Sequence, residues 1–305
     1  MLVVFNSLFP IFALIITGYV LKIIKFPNET FWAGADRITY YLFFPCMLIY
    51  SLAMADFRSV DNAFLMVGIV VLAIFSIAII LVILQWFCKF DVREFTSLFQ
   101  GSTRFNTYVL VGVVNAFYGS EGILLSIFII TFLVPVVNFL CVGMFVFYLK
   151  EGKVSYKNLL ISLITNPMIL SCIIGGILNF SGLRLPTLIA PIIQTLSEPA
   201  IPLGLLSVGV GLTFKSFKTK KLTFWLAIFF KLMLLPSLMF GYTAFFDIDG
   251  MMRGVMVLYT AVPTAVASYI LARQMGGDLS LMSAIITAQT IFAFATLSVI
   301  MVLLV

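Results

Sequence analysis

Apolar stretches longer than twenty residues, such as 62–87 and 279–304, constrain this chain more than any other feature. About 20 predominantly apolar residues make one membrane-spanning helix, and the bilayer core offers no water to an unpaired backbone. The stretches do not alternate between apolar and polar, which argues against a membrane β-barrel. With 63% hydrophobic and only 10% charged residues among 305, and a mean hydropathy of +1.20, the chain falls in the polytopic membrane class. Apolar runs between polar punctuation predict ten spans: 3–22, 36–55, 62–87, 97–117, 122–148, 158–180, 187–213, 221–245, 251–274 and 279–304. Little length is left for a soluble domain. The first run begins without a basic leader, so an uncleaved first helix is expected.

The net charge of +6 does not point to nucleic acid, because Lys and Arg sit in the loops between spans. Thirteen of them fall in the odd-numbered connections, against Arg58, Arg184 and Arg253 in the even ones. The positive-inside rule then places the odd loops in the cytoplasm and both termini outside. Histidine is absent, which removes zinc–histidine sites, Ser–His triads and histidine proton relays. Four cysteines without CxxC spacing provide neither a disulfide framework nor a thiolate metal site. No paired aspartates, HExxH or nucleophile motif occur, so no enzyme, metal or prosthetic group is expected.

Sliding the chain over itself by 157 positions aligns Pro10 with Pro167, Gly18 with Gly175 and Pro45 with Pro202. The same offset pairs Thr103 with Thr260, Thr107 with Thr264, Gly119 with Gly276 and Glu121 with Asp278. Proline and glycine carry weight here because they set backbone shape. Each repeat, 1–150 and 151–305, holds five spans, and an odd number turns the second copy upside down. Inverted repeats recur in secondary transporters, whose site lies near the midplane between discontinuous helices.

Span 4 carries unusual polarity in "GSTRFNTYVLVGVVNAFYGSEG", residues 101–122. At the repeat offset its Asn106 and Thr107 face Pro263 and Thr264 of "LYTAVPTAVASYILARQMGG" in span 9. Pro263 removes a backbone donor and should unwind span 9, leaving a half-helix N-terminus suited to an anion, with Thr264 and Ser268 adding hydroxyls. In span 4, Asn106 and Thr107 supply polarity from side chains, and Gly112 is the expected flexible point. Arg104 has two readings: it snorkels or pairs, or it binds an anion. Glu198, between disturbing prolines, either couples a proton or cation or neutralises Lys231 or Arg104. Asn115, Asn138 and Gln289 are explained by interhelical hydrogen bonds.

"RFNTYVL…AFYG" in span 4, "NPMILSCIIGGILNFSGLRLP" in span 6 and "AVPTAVASYILARQMGGD" in span 9 resemble the auxin efflux carrier family, over nearly the whole chain. The resemblance implies ten helices in two inverted five-helix repeats, with broken helices 4 and 9 crossing beside the substrate. It assigns the substrate carboxylate to Asn106 and the crossover proline to Pro263, and it suggests a homodimer. Span 4 lacks the proline that plant members carry after the Asn, and only about Lys150 to Lys157 joins the halves. A compact bacterial-type member is implied, and auxin itself is not.

The leading reading is a secondary transporter that moves a small organic anion, a carboxylate, by alternating access at a midplane crossover site, with spans 1, 2, 6 and 7 forming one unit. The alternatives are a sodium-coupled symporter of the related bile-acid symporter fold and a non-transporting membrane sensor.

Overall fold

The computed structural model describes residues 2–54, 63–149, 167–183, 185–214 and 222–304. Among them every regular element is helical and no strand occurs. Five stretches are long and apolar enough to cross a membrane unaided: Phe5–Ile23, Phe64–Cys88, Val92–Leu149, Leu222–Phe245 and Leu279–Leu304. The protein is an all-helical, multi-pass membrane protein. Phe64, Ile79, Trp86, Phe139 and Phe245 lie exposed on its surface, where water would penalise them and lipid does not.

Each predicted span contains helix in the described residues, but several spans are built in pieces. Helix α1 is Leu2–Ile23. Span 2 comprises α2 (Glu29–Ile38), a π-helical turn (Thr39–Phe43) and α3 (Phe44–Ala53). It starts earlier than hydropathy suggests, because Asn28 caps α2 by accepting from the Phe31 N–H at 2.7 Å. Helices α4 (Ala63–Cys88) and α5 (Val92–Thr103) follow. The long run α6 (Thr107–Leu149) turns at Gly119, whose φ of 64° and ψ of −152° only glycine adopts freely, so it covers the rest of span 4 and all of span 5.

The described part of span 6 is α7 (Pro167–Phe180), while its predicted start at 158–166, and with it the junction between the halves, lies outside the described residues. Span 7 is α8 (Ala190–Ser197) and α9 (Ala200–Gly211), and span 8 is α10 (Leu222–Phe229), a second π-helical turn (Phe230–Leu234) and α11 (Leu235–Phe245). Both π-helical turns stand just before a proline at a helix start, Pro45 and Pro236. A proline ring collides with the carbonyl one turn back, and one extra residue per turn relieves that collision. Helices α12 (Gly250–Ala261), α13 (Ala267–Met275) and α14 (Leu279–Leu304) complete the chain.

Two helix pairs make the most extensive contacts, α1 with α9 and α3 with α7. Both are backbone-close, as lipid-immersed helices held by packing tend to be. A side chain on Gly18 would overlap the Leu206 carbonyl, and one on Gly209 would overlap that of Ile15. Gly175 lies against Ile49 and Leu52, the residues 157 before Leu206 and Gly209. The polar ties repeat as well. Lys22, ending α1, donates to the Leu212 carbonyl beyond α9 at 2.5 Å, and Asn179, ending α7, donates to that of Leu52 in α3 at 3.0 Å.

Candidate functional site

Two interruptions organise the interior. Helix α5 ends at Thr103 and α6 begins at Thr107, with Arg104 extended at φ −75° and ψ 160°. Helix α12 ends at Ala261 and α13 begins at Ala267, with Val262 extended at φ −67° and ψ 151°. Each first half has 12 residues, about 18 Å of helix against a hydrocarbon core of about 30 Å, so both chains open part-way through the bilayer. The breaks touch: the Asn106 N–H donates to the Pro263 carbonyl at 2.8 Å. The reciprocal bond cannot form because Pro263 has no N–H, and the Asn106 carbonyl instead accepts from Leu110 at 3.0 Å.

The break in span 4 corrects one expectation. It does not lie at Gly112, which is buried within continuous helix in α6. The chain opens at 104–106, with neither proline nor glycine, because Asn106 caps the new helix. Its Oδ1 accepts from the N–H groups of Tyr108 at 3.1 Å and Val109 at 3.2 Å. Capping by Asn satisfies donors that a helix start otherwise leaves unpaired. Among the described residues nothing accepts from Asn106 Nδ2, although the residue is only 2% exposed. Its two amide donors are therefore unused.

Gln289 fastens the other side of the two breaks. Its Oε1 accepts from the Thr264 N–H at 2.9 Å, and its Nε2 donates to the carbonyls of Gly101 and Ala227 at 2.9 Å each. The Thr264 hydroxyl donates to the Gln100 carbonyl at 3.2 Å and meets the Ser268 hydroxyl at 3.4 Å. Thr264 and Ser268 are fully buried, and the Thr264 hydroxyl holds the break in span 9 against the end of α5, with Ser268 beside it. Thr107 is half-buried at the start of α6 beside Asn106.

The charged residues divide differently from the expectation of an internal ion pair. Glu198 is exposed between α8 and α9. Lys231 is fully buried in the second π-helical turn, and its Nζ has no hydrogen-bond partner. The two do not pair: Glu198 is exposed on the outside of the bundle and Lys231 is enclosed within it. Arg104 is half-buried at the break, and its Nη1 is likewise buried without a partner. Among the described residues Lys231 is the only buried charged side chain, and no carboxylate is buried. The amide of Gln100 and the hydroxyl of Tyr259, both fully enclosed, are also unpaired. The interior around the breaks thus holds several polar groups without partners, on Gln100, Arg104, Lys231 and Tyr259.

A cavity of about 480 Å³ opens between α1, the 107–118 half of α6 and α9. Asn6, Ser7 and Asn115 bring polarity to it, and Ile11, Gly112 and Leu205 line it as well. Gly112 follows Asn106 by six residues, about 9 Å along the helix. Tyr108 and Gly204 escaped the sequence reading. Tyr108 lays its ring on Gly204 of α9 and edge-on to Phe44 at 5.3 Å. Gly204 was legible only as a small residue. Gln289 was legible as an interhelical hydrogen-bonding group, though not as the clamp of both breaks.

A family model described as membrane transport protein matches residues 3–301. An uncharacterized transporter of Methanothermobacter thermautotrophicus is 24% identical over 294 residues, covering 96% of this chain and 95% of its own. The uncharacterized transporter MJ1031 of Methanocaldococcus jannaschii is 24% identical over 293 residues, covering 93% of this chain and 94% of its own.

Proposed function

The chain belongs to the membrane transport protein family, the auxin efflux carrier family of the sequence reading, and from that premise we propose that it carries a small organic anion, a carboxylate, through the bilayer by alternating access. It is a membrane transporter and not an enzyme. One observation carries the anion reading. Asn106 spends its oxygen on the helix cap and keeps its Nδ2 donors, beside an Arg104 Nη1 that has no partner, in an interior without a buried carboxylate among the described residues. Such a site rewards a negative charge and disfavours a positive one.

In this reading spans 4 and 9 cross where Asn106 meets Pro263, and Arg104, Asn106 and Thr107 receive the carboxylate. Thr264, Ser268 and Pro263 shape the wall behind it. The recurrence of contacts at an offset of 157 supports two inverted repeats, and the two glycine-packed pairs support a fixed unit of spans 1, 2, 6 and 7. The cell membrane with both termini outside follows from the loop charges, and a homodimer follows from the resemblance alone. A membrane potential supplies about 2.3 kcal/mol per charge per 100 mV and drives anions outward from a negative cytoplasm. Uptake would require a coupled proton or sodium ion, with Lys231 in the interior and Glu198 at the surface as the groups to test.

The experiment is transport current in proteoliposomes with mono- and dicarboxylates, with and without sodium, for wild type, Asn106→Ala and Asn106→Asp. Aspartate keeps the cap and replaces the donors by a negative charge. A carboxylate-evoked current lost in both variants, while Asn106→Asp stays folded, is the expected result. A current unchanged in Asn106→Asp would remove the site from the breaks.

A further inference from the structure

A second cavity, of about 390 Å³, lies at one end of the bundle. Helix α11 stops beside it at Phe245 and α12 begins beside it at Gly250. Phe117 and Tyr118, just before the turn at Gly119, close it from the side of α6. Spanning helices end where the hydrocarbon core gives way to headgroups, so the cavity stands at headgroup depth. Its rim faces lipid, since Phe245 is 79% exposed and Leu303 68% exposed. Arg253 on its wall precedes Val262, where span 9 opens, by about 14 Å of helix, so the cavity is separate from the breaks.

Two opposite charges line this cavity without pairing. Asp249 and Arg253 flank the first turn of α12, about 6 Å apart along it. Among the described residues neither forms an ion pair, and the Asp249 side chain does not cap its own helix. The Arg253 guanidinium lies over the Phe240 ring at 5.3 Å, with its Nε enclosed and unpartnered. The loop that carries Asp249 is anchored by Ile248, whose side chain is buried and whose N–H donates to the Thr243 carbonyl at 2.8 Å. The Tyr118 hydroxyl stands on the same wall, so close to Gly254 that a side chain there would overlap it. Phe117, Met251, Leu303 and Leu304 make the remaining wall apolar.

A simple anion drawn to Arg253 would meet the Asp249 carboxylate, and a simple cation drawn to Asp249 would meet the guanidinium. A ligand with an anion and an ammonium a few bonds apart satisfies both through charge-assisted hydrogen bonds. The volume lies near the lower end of the about 300–1,000 Å³ of ligand pockets, which suits a small polar head. The apolar wall and lipid-facing rim suit acyl chains attached to that head. We propose that the cavity binds the headgroup of a phosphoethanolamine lipid, its phosphate on Arg253 and the Tyr118 hydroxyl, its ammonium on Asp249 and its chains along Leu303 and Leu304. The lipid then joins the 107–118 half of α6 to α12 at the ends remote from the breaks. The site is independent of the anion reading at Asn106.

Native mass spectrometry of the full-length protein, delipidated in detergent, tests this with dioctanoyl phosphatidylethanolamine, phosphatidylglycerol and phosphatidylcholine. Wild type should bind the ethanolamine lipid about tenfold or more tightly than the other two, the worth of one charge-assisted hydrogen bond. Glycerol offers no ammonium, and the methylated ammonium of choline has no N–H for Asp249. Asp249→Asn keeps the size and an N-cap residue type and should abolish that preference, leaving the glycerol lipid bound as before or more tightly. Arg253→Gln should weaken all three lipids about tenfold or more. Arg253→Lys, the second variant should Arg253→Gln not fold, keeps the charge but loses the planar fork and should weaken them less. Equal affinity of wild type for the three lipids would overturn the site, and so would a preference that survives Asp249→Asn. Soluble phosphoethanolamine carries the same charges without the chains. If it displaces the ethanolamine lipid at equal concentration, the cavity belongs to a soluble zwitterion and the lipid is overturned; displacement only at a large excess supports the lipid.

Discussion

Replacing Gln289 by leucine removes three hydrogen bonds at once and leaves their partners enclosed. The Thr264 N–H and the carbonyls of Gly101 and Ala227 each lie 2.9 Å from the amide, and Gln289 is fully buried. Interhelical hydrogen bonds in membranes average about 0.6 kcal/mol, which sets a floor near 2 kcal/mol for three. Leaving a main-chain donor such as Thr264 N–H unpaired costs about 1–3 kcal/mol, raising the expected total to about 2–4 kcal/mol. A natural reporter stands beside this junction. Cys141 is fully buried, and its Sγ lies 3.6 Å from the Thr103 hydroxyl at the end of α5. With Cys46, Cys88 and Cys172 replaced by alanine, maleimide labelling of Cys141 in liposomes measures how often the junction opens. Gln289→Leu should speed labelling about 30- to 700-fold, at 1.4 kcal/mol per factor of ten. Gln289→Glu, which keeps the acceptor for Thr264 and at most one donor, should fall between. A Gln289→Leu rate within threefold of the parent would refute the view that this side chain holds the two breaks together.

Three further outcomes follow from the same geometry. Lys231→Met should leave thermal stability in detergent unchanged or raised, since an enclosed ammonium without a partner costs more than a thioether of similar length; a loss of several degrees would mean that Lys231 has a partner. Gly209→Ala should lower stability by about 1–3 kcal/mol or abolish folded yield, because the methyl group meets the Ile15 carbonyl, whereas Gly143→Ala, with open space at its Cβ, should be neutral in the same melt. Gly119→Ala should cost about 1–3 kcal/mol through its φ of 64°, and normal melting of that variant would show that the turn between spans 4 and 5 relaxes without strain.

The two broken spans make the same bend in unequal ways. In span 9 the chain opens at Pro263, where a missing N–H makes continuous helix unfavourable. In span 4 the corresponding residue is Asn106, and the bend is stabilised by a side chain that caps the following helix. That difference is why Gly112 drew attention in the sequence. A break was expected from the repeat, and glycine was the nearest residue of low helix propensity. A cap, however, acts at its own position and leaves Gly112 free to line the cavity between α1, α6 and α9. Glu198 makes no internal pair with Lys231 for a related reason: the helix is interrupted there and the side chain lies exposed.

The sequence by itself determined the solvent, the all-helical class and the family, because these depend on hydropathy, period and the backbone chemistry of proline and glycine. It also marked the paired positions 106 and 263, since a repeat offset is a property of order along the chain. Only the tertiary structure decided which polar groups are satisfied. Gln289 reaches Gly101 across 188 residues, Asn106 turns its oxygen to its own helix and its N–H to Pro263, and Lys231 stays without a partner. A hydrogen bond requires two atoms about 3 Å apart, and in a bundle of lipid-bound helices that proximity is set by packing, which no local pattern of residues encodes.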